Sequence, residues 1–447
     1  MSDLIVSNKR YLVVGLGVTG QSVARYFSKT SNPFIVADTR ENPPQLEQFK
    51  NDFPDVAVYT GELSSGLLEG VDEIIVSPGI SLNLPVLQQA REQGISTVTD
   101  IEIFARHKNA QLIAITGSNG KSTVTTLVAD MAKANGLNVG VGGNLGVPAL
   151  ELLADDIDTY VLELSSFQLE GVDELNADVA CILNITPDHM DRYDNMQAYR
   201  NAKHRVFNGA KSVVYHRADP LTQPMMGAEF TSINFGLDKP QKNAFGLIQD
   251  GEQVFLSQND LRLMACDKLR IKGEHNRLNA LAALAISDLA GWNTDKSLEA
   301  LAVFEGLEHR CQWIAEKDGI AFINDSKATN VGSTEAAIHG LTCDYERLVL
   351  IAGGEGKDQD FSPLQSLLSE AYLRSLVVMG RDAKQIAQFS SVAVETASTM
   401  NESVKVATGL ALPGDAVVLS PACASFDMFE SYEARGRAFV EAVEALS

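Results

Sequence analysis

Short apolar runs alternate with amphipathic segments from the start of the chain. The first three runs are Tyr11–Val14, Pro33–Ala37 and Glu73–Ser77, and the segments between them have helical spacing. Buried strands that alternate with helices in this way form parallel sheets. The pattern therefore predicts an α/β domain at the N-terminus.

The same rhythm restarts twice farther along the chain. The later runs are Leu112–Ile115, Tyr160–Leu162, Val179–Leu183 and Ser212–Tyr215, then, after Trp313, Leu348–Ile351, Leu376–Met379 and Ala416–Leu419. Because each restart indicates a new sheet, we predict three α/β domains over residues 1–98, 99–306 and 307–447. No linker rich in Pro, Gly or Ser marks the joins, so the boundaries rest on the restarts alone.

Length and charge agree with several globular domains. A single hydrophobic core stops growing near ~250–300 residues, and this chain has 447. Its 36 Lys and Arg against 58 Asp and Glu leave a net charge of -22. That balance argues against a general binder of nucleic acid or anionic membrane. Any anionic ligand must be captured locally.

The cysteines and the N-terminus indicate a cytoplasmic protein. The cysteines are scattered, odd in number and without CxxC pairs, which predicts buried reduced thiols rather than disulfides or structural zinc. They are Cys181, Cys266, Cys311, Cys343 and Cys423. Polar and basic residues interrupt the apolar run at the N-terminus, and no stretch has membrane-spanning length. We expect no membrane insertion, and no obligate protein partner is evident.

A glycine-rich loop, Gly15–Gly20, follows the first apolar run, and Asp38 ends the next one. This spacing is typical of dinucleotide-binding loops, in which glycines let the backbone approach phosphates and an acidic residue binds a ribose hydroxyl. A structural turn without a ligand has the same pattern. The loop alone therefore leaves a dehydrogenase open.

A second glycine-rich loop lies within Ala114–Thr123, between a strand and a helical run. Ile115 occupies the position where the standard phosphate loop has its first glycine. The chemistry still fits a nucleotide. Backbone amides from Asn119 to Ser122 can hold phosphates, Lys121 can bridge the β and γ oxygens, and the hydroxyl of Ser122 or Thr123 can reach Mg2+.

The segment Thr116–Thr123 resembles the shortened phosphate loop of the Mur ligase and folylpolyglutamate synthase superfamily. Other motifs similar to those of Mur ligases follow in the same order across nearly the whole chain. They are Gly142–Gly146, Glu163–Leu169, Asn184–Tyr193, His275–Asn276, His309–Arg310, Asn324–Asn330 and Ser420–Asp427. The resemblance is strongest to members that add D-glutamate. It implies three α/β domains, Rossmann-like at the N-terminus, P-loop ATPase-like in the centre and Rossmann-like at the C-terminus.

The resemblance also implies an activity in peptidoglycan precursor synthesis. The carboxylate of UDP-N-acetylmuramoyl-L-alanine would attack the γ-phosphate of ATP, and the amine of D-glutamate would then displace phosphate from the acyl phosphate. The ATP-binding residues would be Gly117, Ser118, Asn119, Gly120, Lys121, Ser122, Thr123, Asn279, Arg310, Asp325 and Lys327. The UDP-substrate would contact Val18, Thr19, Asp38, Thr39, Arg40, Gly79, Asn144 and His189.

Glu163 and His189 follow candidate strands of the central domain, where parallel sheets place ligands, and both are plausible metal ligands. Without the resemblance, Glu163 could equally cap a helix and His189 could be a hydrogen-bonded loop residue. The family pattern implies a Mg2+ site formed by Thr123, Glu163, His189 and Lys203, with Lys203 carbamylated. Lys121, His189 and Lys203 are then the expected catalytic residues.

The resemblance places D-glutamate beside residues of the C-terminal domain. They are Thr329, Lys357, Ser425, Phe426 and Tyr432. The sequence departs from the family pattern twice: Tyr432 stands where Phe is expected, and Glu355 replaces the commoner Asp of the Gly353–Lys357 loop. Both changes concern the fine structure of the amino-acid pocket.

Three alternatives remain at this point. A sibling Mur ligase or a folylpolyglutamate synthase-like ligase would add another amino acid, although the Ser420–Asp427 motif and Lys357 suit D-glutamate. An NAD-dependent oxidoreductase would explain the first loop but leave the Lys121 loop without a role. A nucleotide-binding switch would explain the Lys121 loop but not the motifs for the UDP-substrate.

Overall fold

The computed structural model describes residues 9–190, 192–225, 230–342, 344–357 and 359–446. Twenty strands lie in this part of the chain. They are β1 Tyr11–Val14, β2 Phe34–Asp38, β3 Val58–Thr60, β4 Glu73–Val76, β5 Ser96–Val98, β6 Gln111–Thr116, β7 Val139–Gly143, β8 Thr159–Glu163, β9 Val179–Ile182, β10 Ser212–His216, β11 Thr231–Phe235, β12 Ala244–Asp250, β13 Gln253–Gln258, β14 Leu261–Ala265, β15 Gln312–Lys317, β16 Ile320–Asn324, β17 Leu348–Ala352, β18 Leu373–Val378, β19 Val394–Thr396 and β20 Ala416–Leu419.

Thirteen α-helices lie between these strands in the described ranges. They are α1 Val18–Lys29, α2 Leu46–Asp52, α3 Pro85–Glu92, α4 Asp100–His107, α5 Lys121–Ala134, α6 Ser166–Leu169, α7 Met196–His204, α8 Glu274–Leu289, α9 Thr294–Val303, α10 Val331–Leu341, α11 Ala383–Ala387, α12 Met400–Leu410 and α13 Tyr432–Glu444.

The strands form three sheets. The first has the order β3-β2-β1-β4-β5 and is parallel throughout. The second has the order β14-β13-β12-β11-β10-β9-β6-β8-β7, with parallel pairing from β7 to β12. The third has the order β15-β16-β20-β17-β18-β19, and its β15–β16 pair is antiparallel. These parallel-rich sheets confirm the predicted α/β fold class.

Each apolar run singled out in the sequence forms a strand, with ends that differ by up to three residues. The strands β3, β5, β7, β11–β16 and β19 were not foreseen. β12–β14 include exposed and half-buried residues over part of their length, unlike the continuously buried central strands. A strand with one exposed face carries a weaker apolar signal than a strand covered on both faces.

The chain forms two compact units. The first extends to Gly246 and includes Gln258–Leu261 and Leu281–Leu298, and the second comprises Leu247–Ser257, Arg262–Ala280 and the chain from Glu299 onward. In the second unit, alternate residues of β17 pack into separate cores: Leu348 and Leu350 on one face, Val349 and Ile351 on the other. Helices therefore cover both faces of the third sheet, and its loops are left for ligands.

Candidate active site

A cavity of about 600 Å³ lies at the carboxyl ends of β1 and β4. The strand order of the first sheet reverses between these two strands, and ligands bind at such switch points in open α/β sheets. Seven residues expected to contact the UDP-substrate line it: Val18, Thr19, Asp38, Thr39, Arg40, Gly79 and Asn144. His189, the eighth, is not among the lining residues. The fold thus brings together residues more than a hundred positions apart.

The glycines of the first loop allow a close approach of backbone to backbone. Gly15 has φ +104°, a conformation that favours glycine. A Cβ atom on Gly20 would lie 1.8 Å from the carbonyl oxygen of Gly15. Since helix α1 begins at Val18 without a side-chain cap, its first amides remain suited to an anion.

The Asp38 carboxylate is hydrogen-bonded within the loop. It accepts from the Leu16 amide at 2.7 Å, and from the Arg40 side chain at 2.9 Å (Nε) and 2.7 Å (Nη2). Burial works to raise the pKa of Asp38, but these hydrogen bonds outweigh it and the pKa is lowered. In this structure Asp38 therefore orders the loop and holds Arg40.

Sequence reasoning missed several residues of this cavity, including Ser77, Asp100 and Gln168. Asp100, at the start of α4, is 2% exposed, and its Oδ1 atom has no hydrogen-bond partner. Burial raises the pKa of Asp100 to about 7. An acidic residue two positions after the predicted domain boundary at residue 98 was the available signal.

The second glycine-rich loop connects β6 to α5. Gly117 and Gly120 have φ +158° and +81°, and α5 begins at Lys121 without a side-chain cap. The Lys121 Nζ atom donates to the carbonyl oxygens of Gly117 at 2.8 Å and Ser118 at 2.9 Å. A cation and the N-terminus of a 14-residue helix therefore meet at this loop, as phosphate binding requires.

One expected phosphate contact has a different partner in the structure. The Asn119 amide donates to Asn184 Oδ1 at 2.8 Å, and Ser118 Oγ donates to the Thr186 carbonyl at 3.0 Å. Asn184 and Thr186 follow β9, which pairs with β6. The neighbouring loop thus holds the first part of the phosphate loop in place.

Glu163 ends β8, next to β6 in the sheet. It is 3% exposed, its Oε1 accepts from Asn144 Nδ2 at 2.7 Å, and its Oε2 has no hydrogen-bond partner. A buried carboxylate oxygen without a partner is costly. Its position at the carboxyl edge of the sheet, beside the phosphate loop, is suitable for binding a cation.

Lys203 lies on α7 and reaches the same loop. It is 2% exposed, and its Nζ donates to the Gly117 carbonyl at 2.9 Å and lies 4.7 Å from the Tyr199 ring centroid. Burial, and next the charge of Lys121, lower the pKa of Lys203 to about 7. Helix α7 therefore presents a buried amine to the phosphate loop.

His189 lies on the exposed loop after β9, with φ +55°. Its ring contacts Phe167 at 4.7 Å, and its Nε2 lies 3.4 Å from Asp188 Oδ2. Asp191 of the same motif lies outside the described residues. Among the residues that the structure does describe, no group of three or more His, Cys, Asp or Glu side chains could hold a metal by itself.

In the second unit, three loops meet at the carboxyl ends of β16, β20 and β17. Asp325 accepts from Ser420 Oγ at 2.8 Å and from the Cys311 amide at 3.1 Å. Burial raises the pKa of Asp325 to about 7. The Gly353 amide donates to the Pro421 carbonyl at 2.8 Å, which joins the third loop to the second.

Two lysines expected at the site contact aromatic rings. Lys327 Nζ lies 3.9 Å from the ring centroid of Tyr432, and Lys357 Nζ lies 5.4 Å from that of Phe426. Phe426 is 63% exposed, and Lys357 has φ +52°. Since a Phe ring offers the same face to a cation, the unexpected Tyr432 preserves this contact.

The remaining predicted residues of the second unit differ in exposure. Asn279 is buried and donates to Asn276 Oδ1 at 3.1 Å, Ser425 is buried, Thr329 is half-buried and Arg310 is exposed. All four lie in the same unit as Asp325 and Lys327. The phosphate loop, by contrast, belongs to the first unit.

The described cysteines are free thiols: Cys181, Cys266, Cys311 and Cys423. Cys343 lies outside the described residues. In the part of the chain that the structure covers, no helix combines the length and apolar character needed to cross a membrane.

Three family models match successive parts of the chain. They are described as Mur ligase MurD-like, N-terminal domain (residues 9–99), Mur ligase middle domain (residues 115–287) and Mur ligase, glutamate ligase domain (residues 309–423). The first match includes the Gly15–Gly20 loop. That loop is therefore part of a ligase domain, and the dehydrogenase alternative loses its support.

Curated relatives match the chain along its whole length. Proteins of Pseudomonas savastanoi pv. phaseolicola and Pseudomonas aeruginosa are 52% and 51% identical, each over 100% of both chains. A protein of Hahella chejuensis is 48% identical over 99% of this chain and 100% of its own. All three are named UDP-N-acetylmuramoylalanine–D-glutamate ligase.

Solved structures with similar folds are also ligases. A UDP-N-acetylmuramoyl-L-alanyl-D-glutamate–2,6-diaminopimelate ligase has a TM-score of 0.58 at 17% identity, covering 99% of this chain and 94% of its own. A pseudomurein peptide ligase type C from Methanothermus fervidus has a TM-score of 0.57 at 18% identity, covering 98% and 100%. At these identities the likeness concerns the fold. The family models and the full-length relatives go further: this chain belongs to the Mur ligase family.

Proposed function

We propose that this protein joins D-glutamate to UDP-N-acetylmuramoyl-L-alanine with conversion of ATP to ADP and phosphate, in peptidoglycan precursor synthesis. The observation that carries the proposal is the identity of about half of all residues, over the full length, to proteins named for this reaction. We place the reaction in the cytoplasm, where ATP is available.

Activation of the carboxylate is the first chemical step. A carboxylate oxygen of the UDP-substrate attacks the γ-phosphorus of ATP, the bond to the β,γ-bridging oxygen breaks, and ADP leaves. In this proposal, Lys121 and the first turn of α5 stabilise the negative charge that develops on the transferred group, which is supported by the position of Lys121 Nζ on the phosphate loop. The resulting acyl phosphate has a good leaving group, which the free carboxylate lacks.

Amide formation is the second step. The neutral amine of D-glutamate attacks the acyl carbon, a tetrahedral intermediate forms, and phosphate leaves as the C–N bond is completed. The proton lost by the amine nitrogen is balanced by release of the phosphate as hydrogen phosphate. Exclusion of water protects the acyl phosphate from hydrolysis until the amine arrives.

Mg2+ fits the residues present, because the buried Glu163 Oε2 lacks a partner and lies beside the phosphate loop. Thr123, Glu163, His189 and a carbamylated Lys203 would hold it. When bound, it would supply positive charge to the phosphate oxygens of ATP. Glu163 by itself positions Asn144, which lines the cavity for the UDP-substrate.

Carbamylation of Lys203 is consistent with its surroundings. The reaction joins a neutral amine to carbon dioxide, releases a proton and yields a carbamate. Burial of Nζ against the Gly117 carbonyl provides a site in which a proton is easily lost. The negative charge of the carbamate would compensate the positive charge of the nearby Lys121.

The UDP-substrate occupies the cavity of the first unit in this proposal. Amides at the start of α1 and the exposed guanidinium of Arg40 suit its diphosphate. D-Glutamate binds in the second unit among Thr329, Lys357, Ser425, Phe426 and Tyr432, with Lys357 as the cation for the side-chain carboxylate.

The test is a direct assay of the product. Purified protein is incubated with ATP, Mg2+, UDP-N-acetylmuramoyl-L-alanine and one amino acid at a time, and the product is identified by mass spectrometry. We expect coupling of D-glutamate to exceed that of L-glutamate, D-alanine and L-lysine by far. Efficient coupling of L-alanine or a diamino acid would identify a sibling ligase. Phosphate release without the UDP-substrate would indicate a nucleotide switch.

A further inference from the structure

The largest fully buried side chain of the second unit is an arginine that sequence reasoning did not select. Arg435 lies in the first turn of α13 and is 2% exposed. Helix α13 begins there because the Ser431 side chain accepts from the Ala434 amide as an N-cap. Burying a guanidinium is costly unless each donor is satisfied. The hydrogen bonds of Arg435 therefore indicate which parts of the structure its buried guanidinium holds together.

The guanidinium joins two loops of the candidate site. On one side, Nε donates to Ser326 Oγ at 3.0 Å and Nη2 donates to the Ser326 carbonyl at 2.9 Å. On the other side, Nη2 donates to the Cys423 carbonyl at 3.0 Å and Nη1 to the Ala424 carbonyl at 3.3 Å. All of these acceptors are uncharged. The planar fork thus fixes the distance between the loop after β16 and the loop after β20.

The neighbours of these acceptors are the residues expected to bind substrates. Ser326 lies between Asp325 and Lys327, both assigned to ATP, and Ala424 precedes Ser425, assigned to D-glutamate. Ser326 Oγ also donates to the Tyr432 carbonyl at 2.8 Å, which places the Tyr432 ring next to Lys327. A displacement at Ser326 would therefore move groups on both subsites.

The third loop approaches the same guanidinium. A Cβ atom on Gly354 would lie 3.2 Å from Arg435 Nη1 and 2.3 Å from the Ala424 carbonyl oxygen. Gly354 is left-handed at φ +134° and belongs to the loop that carries Lys357. The absence of a side chain at Gly354 lets this loop pack directly on the loop held by Arg435.

We propose that Arg435 is a positioning residue that aligns the ATP subsite with the D-glutamate subsite. It contacts neither substrate, and it acts through the backbone of Ser326, Cys423 and Ala424. The inference rests on the proposed function. It predicts that one substitution at Arg435 raises the KM values for ATP and for D-glutamate together. The KM for the UDP-substrate should stay nearly unchanged.

The test is the variant Arg435→Lys, which keeps the positive charge but loses the planar fork of donors. We expect the KM values for ATP and for D-glutamate to rise together by about tenfold, as for loss of one charged hydrogen bond. The KM for UDP-N-acetylmuramoyl-L-alanine should change less than about twofold, since its cavity is lined by the other unit. Arg437→Lys, an exposed position on the same helix, is the matched control and should behave as wild type.

A second variant keeps the proposal testable if Arg435→Lys folds poorly. Ser326→Ala removes the hydroxyl contacts to Arg435 Nε and to the Tyr432 carbonyl but keeps the carbonyl contact to Nη2, and it should raise the same two KM values to a smaller extent. A rise in only one of them, equal rises for all three substrates, or a fall in kcat alone would overturn the proposal. Failure of the wild-type enzyme to couple D-glutamate would instead overturn the proposed function.

Discussion

At the scale of single residues, the site depends on ionisable side chains removed from water. Lys203, Asp100, Asp325 and Glu163 are each less than 10% exposed. Burial disfavours the charged form of such groups unless a partner compensates. The pKa shifts of Lys203, Asp100 and Asp325 all follow from burial in the first place. Substitution of such a buried group should therefore change the activity or the stability of the protein measurably.

Lys203→Ala should lower turnover by about a hundredfold or more, because it removes the carbamate expected to help hold the Mg2+ that stabilises the transferred phosphoryl group. A small carboxylate such as formate, added to the assay, should restore part of the ADP release. Lys211→Ala, at a position whose side chain is 75% exposed, provides the control and should need no rescue. Full activity of Lys203→Ala without any addition would contradict the role of Lys203.

Asp100→Asn should stabilise the protein, and more so at high pH. Because the pKa of Asp100 is raised from 3.8 to about 7, the folded state retains a proton that the unfolded state loses between these values. Stability therefore falls as pH rises through this window, by about 4 kcal/mol at most. Thermal unfolding at pH 5 and pH 8 should show the larger gain for Asp100→Asn at pH 8. The same gain at both values, or a similar gain for the exposed control Asp52→Asn, would contradict this explanation.

Lys357→Ala should raise the KM for D-glutamate by about tenfold to a hundredfold, because a charge-assisted hydrogen bond to the side-chain carboxylate is lost. The KM for ATP should stay nearly constant. Steady-state kinetics with each substrate varied in turn will separate the two, with the exposed Lys384→Ala as control. A defect confined to ATP would remove Lys357 from the amino-acid pocket.

At the scale of secondary-structure elements, parallel strands bring loops from distant parts of the chain to one sheet edge. The loops after β1 and β4 form the cavity of the first unit, and those after β6, β8 and β9 surround the phosphate loop. Glycines make this close approach possible where a Cβ atom would meet backbone. The geometry of a strand–loop–helix junction is thus as important as its side chains.

Gly20→Ala should destabilise the protein by about 1–3 kcal/mol, because its Cβ atom would lie 1.8 Å from the Gly15 carbonyl oxygen. The shift needed to relieve this contact would also disturb the cavity and weaken binding of the UDP-substrate. Gly79→Ala is the control for stability, since its Cβ atom would meet nothing within 4 Å. Equal unfolding temperatures for the two variants would rule out the packing argument.

At the scale of the whole molecule, the acidic chain binds anionic substrates through local devices. A net charge of -22 repels anions at long range, but charge within a Debye length dominates once a ligand is bound. In the proposed function, helix N-termini, Lys121, Arg40 and Lys357 would supply that local attraction. Arg40 and Lys121 lie in the first compact unit, and Lys357 lies in the second.

This division predicts where the UDP-substrate protects the backbone. Because every residue that lines its cavity belongs to the first unit, hydrogen exchange should slow mainly in peptides of that unit. A ligand at a hundred times its Kd adds about 2.7 kcal/mol to the stability of the unit that binds it. Inorganic phosphate at the same concentration is the control. Equal protection of peptides from both units would contradict the assignment.

The sequence alone determined the α/β class, the positions of the main strands and the family. These features follow from local signals. An apolar run followed by a glycine-rich loop and a helical pattern predicts a strand–loop–helix unit whatever the rest of the chain contains. The motif order then indicated the ligase chemistry. The domain boundaries at residues 98 and 306 remain a prediction.

Only the tertiary structure decided what each selected residue contacts. It turned the Asp38 carboxylate toward Leu16 and Arg40, placed the amine of Lys203 against Gly117, and revealed Asp100 and Arg435. These features depend on contacts between residues far apart in sequence. Burial and hydrogen bonding arise from the packed arrangement of several elements, so no local pattern of residues encodes them.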